Sequence, residues 1–317
     1  MPRYPISDHC DGRRFFNPHR AARPLKEVIT WMRTRQRTPW PRRVPLTPHP
    51  PPPTTVRRGE IAVTFIGHST FLVRTASLVI VTDPVFTSNA GPFGRMGPPR
   101  VRPPAIPPAH LPPVDLVLVS HNHYDHLQPS SLRLFRDRAA YVAPLGVASL
   151  LPAEAVTSAR TAELDWWQSA RLAGAEITCV PAQHFSARTA WDRDRTLWAG
   201  FVVRVDGVTL YFAGDSGYSP QFAAIGERCP GIDVALIPIG AYEPRWFMSP
   251  VHMNPDEAVR AHLDVRARLS IGMHFGTFQL TDEGIDEPLR ALERARAEHG
   301  VSLNAFRVLD FGETLVT

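Results

Sequence analysis

A chain of 317 residues with 44% apolar content can bury a sizeable core, as one large α/β domain or two smaller ones. No stretch approaches the roughly 18 to 20 uninterrupted apolar residues of a membrane-spanning helix, and the opening MPRYPISDHC has no apolar secretory block, so the expected compartment is the cytoplasm. Cys10, Cys179 and Cys229 are odd in number, far apart and without a CxxC pair, which argues against a disulfide framework and for ordinary buried thiols.

The formal charge of +5 divides unevenly along the chain. Residues 1–58 hold 13 Arg or Lys against three Asp or Glu, a net of +10, and the remainder is −5. A basic arm of this kind could touch nucleic acid or an anionic lipid surface, although a solvated, partly ordered arm is the simpler explanation of the charge. The arm is rich in proline and closes on PHPPPPTT (48–55), which cannot join a sheet and marks a boundary. Within it, Pro24 to Arg37 places Leu25, Val28, Ile29 and Met32 at helical spacing.

From Ile61 the texture turns to short β-rich runs, IAVTFIG and then FLVRTASLVIVTDP, whose apolar stretches flank Thr75 to Ser77 as a hairpin. Residues 87–113 are rich in Gly and Pro and predict an ordered loop over one end of the sheet, placed to line a pocket. Leu116 to Ser120 is a buried-strand run that stops directly before His121. Further strands are predicted near 140–143, 176–181, 200–205, 209–213, 234–238 and 269–274, and helices over 128–137, 255–263 and 287–299. The alternation implies a layered α/β body, and the similar pattern of its two halves suits a two-fold related sandwich.

The sharpest local signal is S-H-N-H-Y-D-H-L (120–127), with three imidazoles and a carboxylate within six positions. Imidazole nitrogen and carboxylate oxygen are the donors that borderline metals prefer, and His121 with His123 can face one ion while Asp125 and His126 face another. One loop cannot complete two sites. His184 after ITCVPAQ, Asp215 after VTLYFAG and His274 after LSIGM supply candidates from other strand ends. Gly214 permits the tight turn that would bring the Asp215 carboxylate to a strand tip. Taken singly, each of these three could equally cap or hydrogen-bond.

The whole set resembles the ligand order of metallo-β-lactamase-fold hydrolases. The likeness extends to G-H-S-T-F-L-V (67–73), T-D-P-V-F (82–86), E-L-D-W-W (163–167), P-A-Q-H-F-S-x-R (181–188), F-A-G-D-S-G-Y (212–218), I-P-I-G-A-Y-E-P-R-W-F-M (237–248) and M-H-F-G-T-F (273–278). These motifs are similar to one branch of that superfamily, the N-acylphosphatidylethanolamine-hydrolysing phospholipase D family and its bacterial relatives. The resemblance runs from about Ile61 to the C-terminus and implies an αββα sandwich of two mixed sheets over 59–317, preceded by the arm 1–58. It implies His121, His123 and His184 at a first metal, Asp125, His126 and His274 at a second, and Asp215 between them.

Two zinc ions are expected, with manganese or iron as alternatives, and the expected activity is phosphodiester hydrolysis of an N-acyl phospholipid-like substrate by a metal-activated hydroxide. A lactone, cyclic phosphate or other ester at the same site remains an alternative, as does nucleic-acid processing. The negative body charge and the lack of an RNA-binding signature weigh against a nucleic-acid partner. An iron redox site is a further alternative that no attached redox module supports. Peripheral membrane contact and a homodimer are further expectations of the resemblance. His252 matches a histidine the family places near the metals without making it a ligand, and either orients or protonates a leaving group, or else caps or packs the loop just before the helix near Pro255. Asp125 could also orient the hydroxide. Asp83 is the candidate to hold a ligand histidine from behind, or else a turn residue before Pro84. Tyr124 is a candidate substrate contact, or else packs. The pairs Trp166–Trp167, Trp191–Trp198 and Trp246–Phe247 line an acyl groove or pack in the core.

Overall fold

In the computed structural model, which describes residues 3–18, 23–157, 159–189 and 191–317, the β-rich texture forms two mixed sheets, each of seven strands among the described residues. The strands are β1 (Ala62–Gly67), β2 (Thr70–Arg74), β3 (Val79–Thr82), β4 (Leu116–Leu118), β5 (Ala140–Pro144), β6 (Thr161–Leu164), β7 (Ser169–Leu172), β8 (Ala175–Val180), β9 (Gly200–Val205), β10 (Val208–Phe212), β11 (Val234–Pro238), β12 (Leu269–Met273), β13 (Phe306–Arg307) and β14 (Thr314–Val316). The helices are α1 (Leu25–Thr34), α2 (Pro129–Leu132), α3 (Gln221–Arg228), α4 (Arg245–Met248), α5 (Pro255–Asp264) and α6 (Glu287–His299).

The first sheet runs β14-β1-β2-β3-β4-β5-β6 and the second β13-β12-β11-β10-β9-β8-β7. Each joins an antiparallel meander to three parallel pairings, β3 to β6 in one and β10 to β13 in the other. This repetition is the two-fold pattern visible in the sequence. Alternate residues explain why the central strands read as continuous apolar runs. Ile80, Leu116 and Leu118 share the main core with Phe201, Leu210, Leu236 and Ile271 of the other sheet. Val79, Val81 and Val117 turn the opposite way, onto Leu132 and Phe135. On the second sheet α5 packs against β11, and α3 and α6 pack against α5. The result is the expected αββα sandwich.

The expected hairpin is β2–β3, and residues 87–113 contain only short 3-10 turns. The helix predicted over 128–137 is only α2 followed by a 3-10 turn at Arg133–Phe135. Edge strands β6 and β7 were not anticipated, because TAEL and SARL are half exposed and carry little β-branched or aromatic content.

The arm is not the solvated tail that its charge suggested. Tyr4, Cys10 and Phe15 are part of the main core, with the Tyr4 and Phe15 rings 4.8 Å apart. Further along, α1 stacks Trp31 on Phe247 at 4.8 Å, the Trp40 indole donates to the Glu283 carbonyl at 2.9 Å, and Val44 N donates to the Val101 carbonyl at 2.8 Å. Counting charges hid these few large side chains, whose burial sets where the arm lies. All three cysteines are free and buried, as expected. Among the described residues no helix is long and apolar enough to cross a membrane.

Candidate metal centre

Each candidate residue of the centre except His252 stands just beyond the carboxyl end of a strand: His68 after β1, Asp83 after β3, the 121–126 cluster after β4, His184 after β8, Asp215 after β10 and His274 after β12. Reaching inward from those positions distorts the backbone. His68, Asp83 and His274 adopt left-handed φ values of 61°, 31° and 64°, a conformation costing on the order of 1–3 kcal/mol for a non-glycine residue. His274 N donates to the His68 carbonyl at 2.9 Å, so two of the three distorted residues brace each other. Before Asp215, Gly214 has φ 63°, and a Cβ there would lie 2.8 Å from both the Ala199 carbonyl oxygen and Ser120 Cβ. Only glycine lets the strand tip come this close.

Seven sequence-predicted residues come together here. The donor atoms of His121, His123 and His184 lie within 4.8 Å of one another, as do those of His68, Asp125, His126 and His274. In the first group His123 Nδ1 is 2.9 Å from His121 Nε2 and 3.1 Å from His184 Nε2. In the second, Asp125 Oδ2 is 3.5 Å from His126 Nε2 and 3.4 Å from His274 Nε2. Asp215 Oδ2 stands between the groups, 3.1 Å from His126 Nε2, 3.0 Å from His274 Nε2 and 3.9 Å from His184 Nε2.

The outward nitrogens are fixed by acceptors. His184 Nδ1 donates to the Val251 carbonyl at 2.9 Å, and His126 Nδ1 to Asp83 Oδ2 at 2.6 Å. Ser120 Oγ donates to Asp83 Oδ2 at 2.5 Å, which leaves its lone pair for His121 Nδ1–H at 2.9 Å. Each acceptor places the proton on Nδ1 and turns a bare Nε2 lone pair into the centre, the tautomer that a metal ligand requires. His126 Nε2, His274 Nε2 and Asp215 Oδ1 are buried without a hydrogen-bond partner although their neighbours are close. Such orphaned donor atoms, converging from three strand ends, fit a divalent cation and fit no protein partner present.

Electrostatics agrees with that fit. Burial, reinforced by neighbouring imidazoles, holds His121 well below its ordinary range, His123 and His68 at about 3 and His184 at about 4. These rings are neutral, the form that binds metal. Burial works against the charged form of His126 and His274 too, yet the Asp215 and Asp125 carboxylates hold His126 well above its ordinary value and His274 up to about 9. Burial likewise opposes the anionic form of Asp125 and Asp215, but His126, joined by His274, keeps both well below the carboxylate range. The centre therefore carries two buried negative charges that protons or cations must balance, and a cation that binds displaces protons.

Asp83 fills both roles read from the sequence, taking the distorted turn conformation and holding His126 and Ser120. His252 Nδ1 is buried, unpartnered and 3.9 Å from Asp215 Oδ2. Helix α5 is capped by Asn254 and Glu257, so the His252 ring is not used as a cap. Arg245 braces its backbone, donating to the His252 carbonyl at 2.9 Å and to Glu257 at 2.7 Å. The Tyr124 hydroxyl donates to the Arg188 carbonyl at 3.0 Å, and the Arg188 guanidinium covers its ring at 4.0 Å. Trp166 and Trp198 are core residues, whereas Trp191 and Trp246 are exposed.

Two residues escaped the sequence reading. His68 Nε2 donates to Asp125 Oδ2 at 3.0 Å, and its ring lies 4.1 Å from that of His274. Its signal was the histidine of G-H-S-T, standing between two short apolar strands. Arg188 donates from Nη1 to the Asn122 and Leu127 carbonyls, both at 2.8 Å, and so clamps the two ends of the loop that carries the 121–126 cluster.

Residues 79–275 match the family model described as the beta-lactamase superfamily domain. An uncharacterized protein of Mycobacterium tuberculosis is 40% identical over 264 residues, covering 80% of this chain and 70% of its own. A Caenorhabditis elegans protein named N-acyl-phosphatidylethanolamine-hydrolyzing phospholipase D 1 is 39% identical over 263 residues, covering 79% and 74%. Among solved structures, the metallo hydrolase Igni18 from Ignicoccus hospitalis shares the fold, with a TM-score of 0.59 at 23% identity over 81% of this chain and 98% of its own. With two sheets of the same architecture and a cluster of donor atoms suited to a cation, the chain belongs to the metallo-β-lactamase superfamily and is a metal-dependent hydrolase of that fold.

Proposed function

We propose that the protein hydrolyses the phosphodiester bond of N-acyl phospholipid-like substrates, as a phospholipase D does. The proposed centre takes two ions, zinc first with manganese or iron as alternatives: His121, His123 and His184 hold one, Asp125, His126 and His274 the other, and Asp215 serves both. The observation that carries this reading is the station of Asp215 Oδ2, within 3.9 Å of a nitrogen of each histidine group. The nematode relative named for hydrolysis of N-acyl-phosphatidylethanolamine supports the substrate class.

Two divalent ions in such a centre supply water acidic enough to react as hydroxide near neutral pH, and a Lewis-acidic hold on the phosphoryl oxygen. The remaining work falls to the protein's own groups. Asp125, held by His68, orients the attacking water. As the oxygen of the incoming water bonds to phosphorus and the headgroup oxygen leaves, a proton must reach that alkoxide. The His252 ring, facing the centre, free of the helix cap and kept neutral by burial, is the candidate to orient the leaving group or to pass on to it a proton released by the attacking water.

Contact with a lipid surface is supported by three exposed aromatic side chains. Phe93, Trp191 and Trp246 are 87%, 79% and 47% exposed. They sit on three segments tied to the centre: Gln128 links the Gly91 carbonyl to that of Tyr124, Arg188 holds the ligand loop, and Arg245 holds His252. Tyr124, on the loop that Arg188 holds, is the candidate substrate contact.

The test is elemental analysis with a substrate panel. The purified protein should hold about two equivalents of metal and cleave an N-acyl phospholipid in preference to a bis-arylphosphate or a lactone. Asp215→Ala should abolish the reaction. A fully active Asp215→Ala protein refutes the mechanism, and preference for the lactone selects the ester-hydrolase reading instead.

A further inference from the structure

Among the seven candidate ligands, His184 alone lies on a connection with no helix among the described residues. Residues 181–199, between β8 and β9, contain no helix or strand among the described residues. A ligand on such a segment is held in register only if neighbouring groups occupy the backbone polar atoms that a sheet would otherwise pair. The N-terminal segment supplies several of those groups. Phe15 N donates to the Asp194 carbonyl at 2.8 Å, and the Tyr4 hydroxyl to the Arg195 carbonyl at 3.2 Å. At the end of this strap the Asn17 side chain is used at both atoms: Nδ2 donates to the His184 carbonyl at 2.7 Å, and Oδ1 accepts from the buried Trp198 indole at 3.2 Å.

Between Tyr4 and Asn17 the strap is fastened by His9. That ring stacks on Trp166 at 4.3 Å, with Asp165 at 2.7 Å from Nε2 and Asp8 at 2.6 Å from Nδ1. Trp166 in turn donates to the Trp198 carbonyl at 2.8 Å. A continuous set of contacts thus runs from His9 through Trp166, Trp198 and Asn17 to the backbone of His184, and the Val251 carbonyl fixes the His184 ring from the other side.

We propose that Asn17 is a positioning residue for the metal centre: it sets the His184 backbone so that Nε2 meets the same cation as His121 and His123. The inference rests on His184 being a ligand, as proposed above. It assigns the basic arm a task that neither nucleic-acid nor lipid binding would require. An amide is suited to the position, because one face must donate to a carbonyl while the other accepts from an indole.

Substitution at Asn17 separates positioning from mere seating of the strap. Asn17→Asp keeps an acceptor for Trp198 but sets a carboxylate oxygen against the His184 carbonyl; Asn17→Ala removes both contacts. Tyr4→Phe, a control on the same strap, loses a hydrogen bond but leaves His184 untouched. The full-length proteins are titrated with cobalt(II), followed by visible absorption in competition with a chelator, and melted in parallel. In both Asn17 variants one of the two equivalents should bind about ten-fold more weakly, the usual cost of losing a group that orients a ligand. The other equivalent, and both equivalents in Tyr4→Phe, should bind as in the wild type. Wild-type affinity at both equivalents in Asn17→Asp overturns the inference and leaves the two-metal reading standing. The same loss in Tyr4→Phe also overturns it, because seating alone would then explain the effect. A wild-type protein that takes up no metal overturns both.

Discussion

Asp83 offers a severe test of how the centre is built, because its carboxylate is fully buried and each of its contacts is known. Oδ1 accepts from Ser120 N at 2.7 Å, and Oδ2 accepts from Ser120 Oγ at 2.5 Å and from His126 Nδ1 at 2.6 Å. Asp83→Asn changes no volume but turns one of these acceptors into a donor. If the amide nitrogen replaces Oδ1 it faces Ser120 N–H, and a buried donor loses its acceptor at a cost of about 1–3 kcal/mol. If it replaces Oδ2 it faces His126, which relieves the clash only by moving its proton to Nε2, the atom proposed to bind metal. Either orientation opposes the folded, metal-loaded state. The second alters the ligand itself, so affinity should fall about 10- to 100-fold, or about 1.4–2.7 kcal/mol. Cobalt titration followed by visible absorption, with calorimetric melting of metal-loaded and chelated protein, reads both quantities. An Asp83→Asn protein that binds two equivalents as tightly as the wild type and melts at the same temperature would refute the claim that Asp83 fixes the His126 tautomer.

Two further outcomes follow from the strap and the exposed aromatic side chains. Burial works against a charged His9, but Asp165 and Asp8 outweigh it and raise its pKa above the ordinary 6.5. The stability this contributes is fully present below the unfolded value and is lost as pH rises through the higher folded value. The melting difference between wild type and His9→Gln should therefore be largest below the ordinary 6.5 and shrink as pH rises through the higher folded value, and a constant difference would refute this role of His9. Replacing the exposed Phe93, Trp191 and Trp246 together by serine should weaken co-sedimentation with anionic vesicles about ten-fold or more, since burying even part of one aromatic ring is worth about 1.5 kcal/mol. Unchanged sedimentation would remove the argument for lipid contact.

The candidate ligand loop was legible because its four donors fall within six positions, a density that packing does not explain. His184, Asp215 and His274 were legible as strand-end residues once apolar runs preceded them, with Gly214 announcing the turn that only the packed structure makes obligatory. His68 was not, because a single histidine in G-H-S-T acquires meaning only when the β1–β2 turn folds against Asp125, 57 positions away. Asp83 could be read two ways, and the turn and the buried acceptor proved to be the same residue. The arm was misread for a different reason. Net charge averages over side chains, whereas docking is decided by Tyr4, Cys10, Phe15 and Trp31 individually. Edge strands β6 and β7 were hidden because their pairing, not their composition, makes them strands.

The centre lies on the seam between the two halves, and this links its chemistry to the packing of the fold. The first sheet contributes His68, Asp83 and the 121–126 loop, and the second contributes His184, Asp215 and His274. Ser120 stands where the halves meet: its carbonyl accepts from Ala199 N at 3.0 Å, its hydroxyl passes the Asp83 hydrogen bond on to His121, and Gly214 must lack a Cβ to pass it. Neither sheet alone can gather the donor set, and the left-handed backbone at His68, Asp83 and His274 is a cost that only the assembled core offsets. A cation held by residues of both sheets binds only the packed state, so it stabilises the fold in proportion to its affinity. Residues that set ligand geometry and residues that hold the sheets together are, at this seam, the same residues, and their substitution should move metal affinity and melting temperature together.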